Sequence, residues 1–153
     1  MRFMKKVIIY CLTKYFKETK IGFAKRTNMK YIGHRLNDKK EGFGIQMWED
    51  GASYNGTYKA DKAFGYGCFQ HSDGDNYVGN NRIFNNPLGE FINDKANNFG
   101  IYTHSNGSSY EGYWIDDTQN GIGIDMLKDG AYFHGEYEKG KKEGIGKYPC
   151  LNL

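Results

Sequence analysis

An all-β chain is predicted: one elongated, single-layer antiparallel sheet of stacked β-hairpins, with a short amino-terminal helix. Three observations predict it. A 23-residue unit returns along most of the 153 residues, cleanest in YIGHRLNDKKEGFGIQMWEDGAS from Tyr31 and YNGTYKADKAFGYGCFQHSDGDN from Tyr54; a strict period of this length marks a repeat array. Glycine keeps station within the unit: with the leading Tyr as position zero, it recurs at offsets two, eleven, thirteen and twenty, and only Gly22 and Gly140 stand off this grid. The composition joins 21 glycines and 16% aromatics to only 2 prolines. Many short strands with glycine turns give that balance, whereas disordered chains are poor in aromatics.

The chain opens with residues 1–20, MRFMKKVIIYCLTKYFKETK, outside the repeat. Met4, Val7, Ile8, Cys11, Leu12 and Tyr15 recur at helical spacing, so a docking helix is expected there. A β-strand and a remnant targeting segment are the alternatives. The apolar run from Val7 to Leu12 is too short to span a bilayer. Residues 21–30 read as a degenerate hairpin or linker before the first full unit. The array then fills 31–153, as units 31–53, 54–76, a partial 77–86, 87–109, 110–132 and 133–153. Pro87 takes the Tyr slot of the fourth segment and Asn98 a glycine slot. The segment 77–86 is expected to be an extra loop or odd strand.

Within each unit the first run alternates Tyr-x-Gly-x-aromatic, as in Tyr54, Gly56, Tyr58 and Tyr110, Gly112, Trp114; alternation at period two predicts a strand. A polar middle (NDKKE, ADKAF, DDTQN) predicts a turn. The second run starts at Gly-x-Gly and ends at Asp-Gly or Asn-Gly, as at Asp50-Gly51 and Asn106-Gly107, which predicts a tight turn onto the next unit. About ten strands at about 4.8 Å spacing make a ribbon of about 45–50 Å.

The glycines at offsets eleven and thirteen are expected to bare one side of the second strand so that rings from offsets zero and four lie across it. On the other side, offsets twelve and fourteen place Phe43, Ile45, Tyr66, Cys68, Phe99, Ile101, Ile122, Ile124 and Ile145 in a nearly continuous apolar column. An apolar strip on a one-layer sheet needs a second layer. A helix over Phe3–Phe16 is only about 21 Å long, so covering the strip calls on another chain. The expected docking residues are therefore these apolar positions (Cys68 aside) together with Val7, Ile8 and Leu12, with the aromatic face as a further docking surface.

Tyr-x-Gly-x-aromatic, Gly-x-Gly and Asp-Gly at 23-residue spacing resemble the MORN (membrane occupation and recognition nexus) repeat, over Tyr31 to about Cys150. The resemblance implies a twisted, trough-like sheet and a scaffold role in cytoskeletal, ciliary or cortical assemblies, or a module on larger proteins. Anionic-lipid binding has been proposed for some members. A non-enzymatic structural subunit is the expectation, in the cytoplasm at an axoneme, cytoskeletal element or cell cortex, with other proteins as partners. Arg35 in place of the offset-four aromatic and Pro87 in place of Tyr depart from the pattern.

Chemistry is otherwise sparse. The net charge of +3 is too small to argue for nucleic acid. Cys11, Cys68 and Cys150 are an odd, dispersed set, which points to reduced thiols in a non-secreted protein. His71 and His104 share offset seventeen; a metal pair with Cys150 is one reading, but no tight ligand spacing supports it and aromatic packing is favoured. His34 and His134 are expected at the surface. Asp116-Asp117 is a turn former. No catalytic residue, metal or cofactor is expected. Lys39, Lys62, Lys95 and Lys141 share offset eight and line one edge, either as an anionic-lipid or acidic-tail rail or as a guard against strand-on-strand association.

Overall fold

The computed structural model describes residues 30–79 and 90–147, with side chains to residue 144. The expected helix over residues 1–20, with Val7, Ile8 and Leu12, lies outside the described residues, as do residues 21–29, Pro87 and Cys150. The described chain is all β: β1 (Lys30–Leu36), β2 (Lys39–Met47), β3 (Ser53–Lys59), β4 (Lys62–Gln70), β5 (Asn76–Gly79), β6 (Glu90–Ile92), β7 (Lys95–Thr103), β8 (Ser109–Ile115), β9 (Thr118–Met126), β10 (Tyr132–Glu138) and β11 (Lys141–Lys147). They form one antiparallel sheet in the order β1-β2-β3-β4-β5-β7-β8-β9-β10-β11, with β6 between β4 and β7.

The middle of the sheet departs from the pairing of the regular units. β5 pairs with the Gly67–Gln70 half of β4, while Phe91 of β6 pairs with Gly65. Both then pair with β7. One strand position is thus shared by two short strands separated by residues 80–89. Tyr77 supplies the ring over Gly100, and Phe91 supplies the offset-four ring. Period counting assigned the slot to Pro87 because it lies 23 residues before Tyr110.

Two kinds of turn alternate. Each polar middle contracts to two residues with left-handed backbone, such as Asn37-Asp38 (φ 49° and 63°) and Asp116-Asp117 (φ 47° and 66°). This is the turn whose twist matches paired strands. At the opposite edge the Asp-Gly loops are wider. Gly51 N–H donates to the Trp48 carbonyl (3.2 Å) and Trp48 N–H to the Ala52 carbonyl (3.0 Å). Only the glycine there has positive φ, so the tight turns are at the edge away from the Asp-Gly dipeptides.

The tight turns also fasten each unit to the one before it. Asp61 Oδ1 accepts the Lys40 N–H (2.7 Å) while the Asp61 N–H donates to the Lys40 carbonyl (3.0 Å). Asp94 holds Ala63 (2.7 Å) and Asp117 holds Ala96 (2.6 Å) in the same way. At the last turn Gly140 keeps only the backbone bond, to Gln119 (2.9 Å). Stability in such an array is a sum of unit and nearest-neighbour terms, and these aspartates supply part of the latter.

One face forms the core. Gly33 pairs with Gly44, Gly44 with Gly56 and Gly56 with Gly67, and the glycine row continues across the sheet to Gly135. The offset-zero tyrosines lie on this row: a Cβ on Gly67 would sit 2.5 Å from Tyr54 Cε2, and one on Gly44 2.5 Å from Tyr31 Cε2. The rings meet edge to face, Tyr54 with Phe91 at 5.0 Å and Tyr110 with Tyr137 at 5.0 Å, the arrangement the ring quadrupole favours. Tyr54 and Tyr110 are only 2% and 1% exposed. A single layer therefore buries this face with its own rings, and the expectation that offset-zero and offset-four aromatics offer a docking surface is not met.

The two glycine classes of the second strand serve different ends, contrary to the sequence expectation. Offset thirteen lies under the ring. Offset eleven has left-handed backbone, as in Gly42 (φ 66°) and Gly65 (φ 72°), and Asn98 fills the slot at φ 59° because Asn tolerates that region. It marks a bulge: the register jumps between Gly33 and Arg35, Gly56 and Tyr58, and Gly112 and Trp114. The skipped residue's carbonyl accepts from the ring hydroxyl, Tyr31 to His34 (2.8 Å), Tyr54 to Thr57 (3.1 Å) and Tyr110 to Tyr113 (3.1 Å). That bond explains tyrosine rather than phenylalanine at these three positions.

Candidate docking face

Side chains alternate across a strand, so burying the rings on one face leaves offsets twelve and fourteen on the other. Phe43 and Ile45 on β2, Tyr66 on β4, Phe99 and Ile101 on β7, and Ile122 and Ile124 on β9 all project there. Tyr66 and Ile122 are 45% and 56% exposed; the others are half-buried. Ile145 is on β11, with its side chain outside the described set.

The column is less continuous than the second strands alone suggest. First strands interleave with second strands and contribute their own outward residues. Ile45 faces Asn55, Ile101 faces Glu111, Ile124 faces His134 and Ile122 faces Glu136. Apolar neighbours also meet at Ile32 and Ile45, but they run furthest near the centre, where Cys68 faces Val78, Val78 faces Ile101, and Phe99 faces Tyr113 with ring centroids 5.5 Å apart. Val78 and Tyr113 (46% exposed) also line this face, and the sequence reading missed them. Their signal was there, at offsets one and three of the first strands.

The ring face carries a second cluster beside the Asp-Gly loops. Trp48 packs on Phe69 (5.4 Å), Phe69 on His71 (4.6 Å), His71 on Tyr102 (5.9 Å) and Tyr102 on His104 (4.8 Å). Both histidines thus pack against aromatic rings. Among the described residues no group of His, Cys, Asp and Glu could hold a metal ion. Asp75, nearly buried, ties this cluster to the next loop. It accepts from the Ser105 N–H (2.8 Å) and the Tyr102 hydroxyl (2.8 Å), and His104 Nδ1 lies 3.0 Å away. The Ser105 N–H first, then the Tyr102 and His104 side chains, hold the Asp75 carboxyl down at about 2. Burial first, then its bond to Asp75, pushes Tyr102 up to about 12. His34 and His134 are exposed, and Asp116-Asp117 forms one of the tight turns.

Lys39, Lys62, Lys95 and Lys141 each begin a second strand and are exposed along the tight-turn edge. Acidic turn residues stand among them: Lys95 Nζ is 3.7 Å from Asp116. Lys40, one residue on, lies over the rings of Tyr31 and Tyr58 at 5.5 and 5.1 Å, so the Lys39-Lys40 pair does not point to one outward field.

A row of interlocked hairpins in a single layer, with one face packed by its own rings, defines an all-β repeat protein. The family follows from the sequence match: the MORN repeat model covers residues 31–53, 54–76, 88–109, 110–124 and 133–148, and the chain belongs to the MORN repeat family. Comparison with curated proteins finds no match.

Proposed function

We propose that the protein is a non-enzymatic scaffold subunit that docks another polypeptide along the outer face of its sheet, within a larger cytoskeletal or ciliary assembly. The observation that carries this reading is the central outer patch of Tyr66, Cys68, Val78, Phe99, Ile101 and Tyr113. It is apolar, continuous across β4, β5, β7 and β8, and part-exposed on a layer whose other face is already filled. An apolar patch held open by a rigid sheet is the physical signature of an interaction site. The cytoplasmic axonemal, cytoskeletal or cortical setting is supported by family resemblance alone.

Photo-crosslinking side chains at Tyr66 and Ile122, installed in cells of the native organism, should trap another polypeptide, and Ile101→Lys should abolish trapping while leaving the fold intact. Trapping that survives Ile101→Lys, or no trapped chain at all, overturns the reading. The exposed Lys39, Lys62, Lys95 and Lys141 favour a second reading, a peripheral membrane module for anionic phospholipid. Co-sedimentation with phosphatidylserine vesicles at physiological salt, lost when these four become Gln, would replace the scaffold reading.

A further inference from the structure

We propose that the row of rings beside the Asp-Gly loops is a second docking site, for a basic, proline-rich segment of another polypeptide lying across the strands in the polyproline II conformation. The outer patch is on the other face of the sheet, so this inference stands apart from the docking reading above. Offsets fifteen and seventeen of the repeat supply the row: Trp48 after β2, Phe69 and His71 at the end of β4, Tyr102 and His104 at the end of β7. These rings differ from Tyr54 and Tyr110 in keeping accessible surface. Trp48, Phe69, His71 and Tyr102 are half-buried and His104 is exposed. Successive centroids between 4.6 and 5.9 Å apart make the row continuous. Asp75 holds one end in place by accepting from the Tyr102 hydroxyl (2.8 Å) and lying 3.0 Å from His104 Nδ1. The row stops at β9, where Asp125 and Leu127 take the ring offsets.

Spacing selects the backbone of the occupant. β2, β4 and β7 are alternate strands, with β3 and β5 between them. At about 4.8 Å per strand, the ring groups repeat about every 9.6 Å. A polyproline II helix turns once in three residues of about 3.1 Å each, or about 9.3 Å. Proline at every third residue therefore meets successive ring groups with a slip of about 0.3 Å. An α-helical heptad advances about 10.5 Å and slips by about 0.9 Å per unit. In an extended strand, residues on one face recur about every 6.7 Å and fall out of step at once. Proline has no N–H to desolvate against the rings, and the polyproline II form is already populated in free chains, so docking orders little.

Charge selects a basic segment. The loops 48–52 and 71–75 carry Glu49, Asp50, Asp73 and Asp75, and neither they nor the loop 104–108 contains Lys or Arg. Lys39, Lys62 and Lys95 stand at the other end of the strands. Lys or Arg flanking the prolines thus meets carboxylates along this edge without an opposing cation.

Anisotropy of the labelled peptide Arg-Pro-Leu-Ala-Pro-Leu-Ala-Pro-Arg, titrated with the full chain at low salt, tests this. Binding should saturate below about 1 mM. The permuted peptide Arg-Pro-Pro-Leu-Ala-Leu-Ala-Pro-Arg has equal charge and composition without the three-residue spacing, and should bind about tenfold more weakly. Trp48→Ala should lose about tenfold in affinity, and Trp48→Phe, which keeps a ring, should lose less. Glu49→Lys, at an exposed position, should weaken binding at low salt, the difference closing at high salt. Should Trp48→Ala fail to melt cooperatively, the permuted peptide and Glu49→Lys decide. No saturable binding, equal binding of the two peptides, undiminished binding by folded Trp48→Ala, or indifference to Glu49→Lys at low salt each overturns the proposal.

Discussion

Replacing Gly67 with Ala isolates the contact on which the ring face depends. The new Cβ would lie 2.5 Å from Cε2 and 2.6 Å from Cζ of Tyr54, against about 3.5–4 Å for carbon atoms in contact. The ring must retreat by about 1 Å. It is held by edge-to-face contacts with Tyr58 (5.2 Å) and Phe91 (5.0 Å) and by its bond to the Thr57 carbonyl (3.1 Å). Two ring pairs contribute about 0.5–1.5 kcal/mol each and the hydrogen bond about 1 kcal/mol. Restricting the unfolded chain returns about 0.4–1 kcal/mol, so Gly67→Ala should cost about 2–3 kcal/mol. Urea unfolding followed by fluorescence would show a midpoint lowered by about 1–2 M. All three close atoms belong to Tyr54, so in a Tyr54→Ala background the same substitution should be neutral or mildly stabilising. Gly56→Ala supplies the contrast. Its Cβ meets the Tyr66 carbonyl oxygen at 2.5 Å and Gly67 Cα at 2.6 Å, which are backbone atoms, so removing the Tyr54 ring should not rescue it. An equal cost for Gly67→Ala with and without the Tyr54 ring would refute the reasoning.

Four further outcomes are expected. Asp94→Ala should destabilise by about 1–2 kcal/mol by leaving the Ala63 N–H without its acceptor; denaturant unfolding measures it. Asn98→Gly should be neutral or slightly stabilising, whereas Asn98→Val should cost about 1–2 kcal/mol, read by thermal melting. The stabilisation carried by Asp75, whose folded pKa is depressed to about 2, is present above the ordinary carboxylate range and lost as pH falls through about 2. Melts between pH 5 and 2 should fall more steeply for wild type than for Asp75→Asn. At alkaline pH, burial first raises Tyr110 to about 12, so between about 10 and 12 the unfolded chain binds fewer protons and stability falls as pH rises. In Tyr110→Phe, where no buried hydroxyl remains at that position, melting over this range should fall less.

Most of the architecture was legible because a repeat states its fold several times over. Alternation in Tyr-x-Gly-x-aromatic and the glycine grid define strands, order and the ring face without three-dimensional information. The two glycine classes were not separable, since a bare surface under a ring and a left-handed bulge call for the same residue. Asn98 was the clue, being tolerable in the second role and too large for the first. The outer column was overdrawn for a different reason. Neighbours on a sheet come from adjacent strands, and Asn55, Glu111 and His134 are far in sequence from the isoleucines they face. The ring that Tyr77 lays over Gly100 was not foreseen, because sequence distance was read as position in the sheet.

The shared position of β5 and β6 shows where such an array can be edited. Gly79 and Glu90 occupy what elsewhere are successive stations of one strand, yet the flanking registers with β4 and β7 close as they do in uninterrupted units. The array tolerates a splice halfway along a rung as well as at its bends.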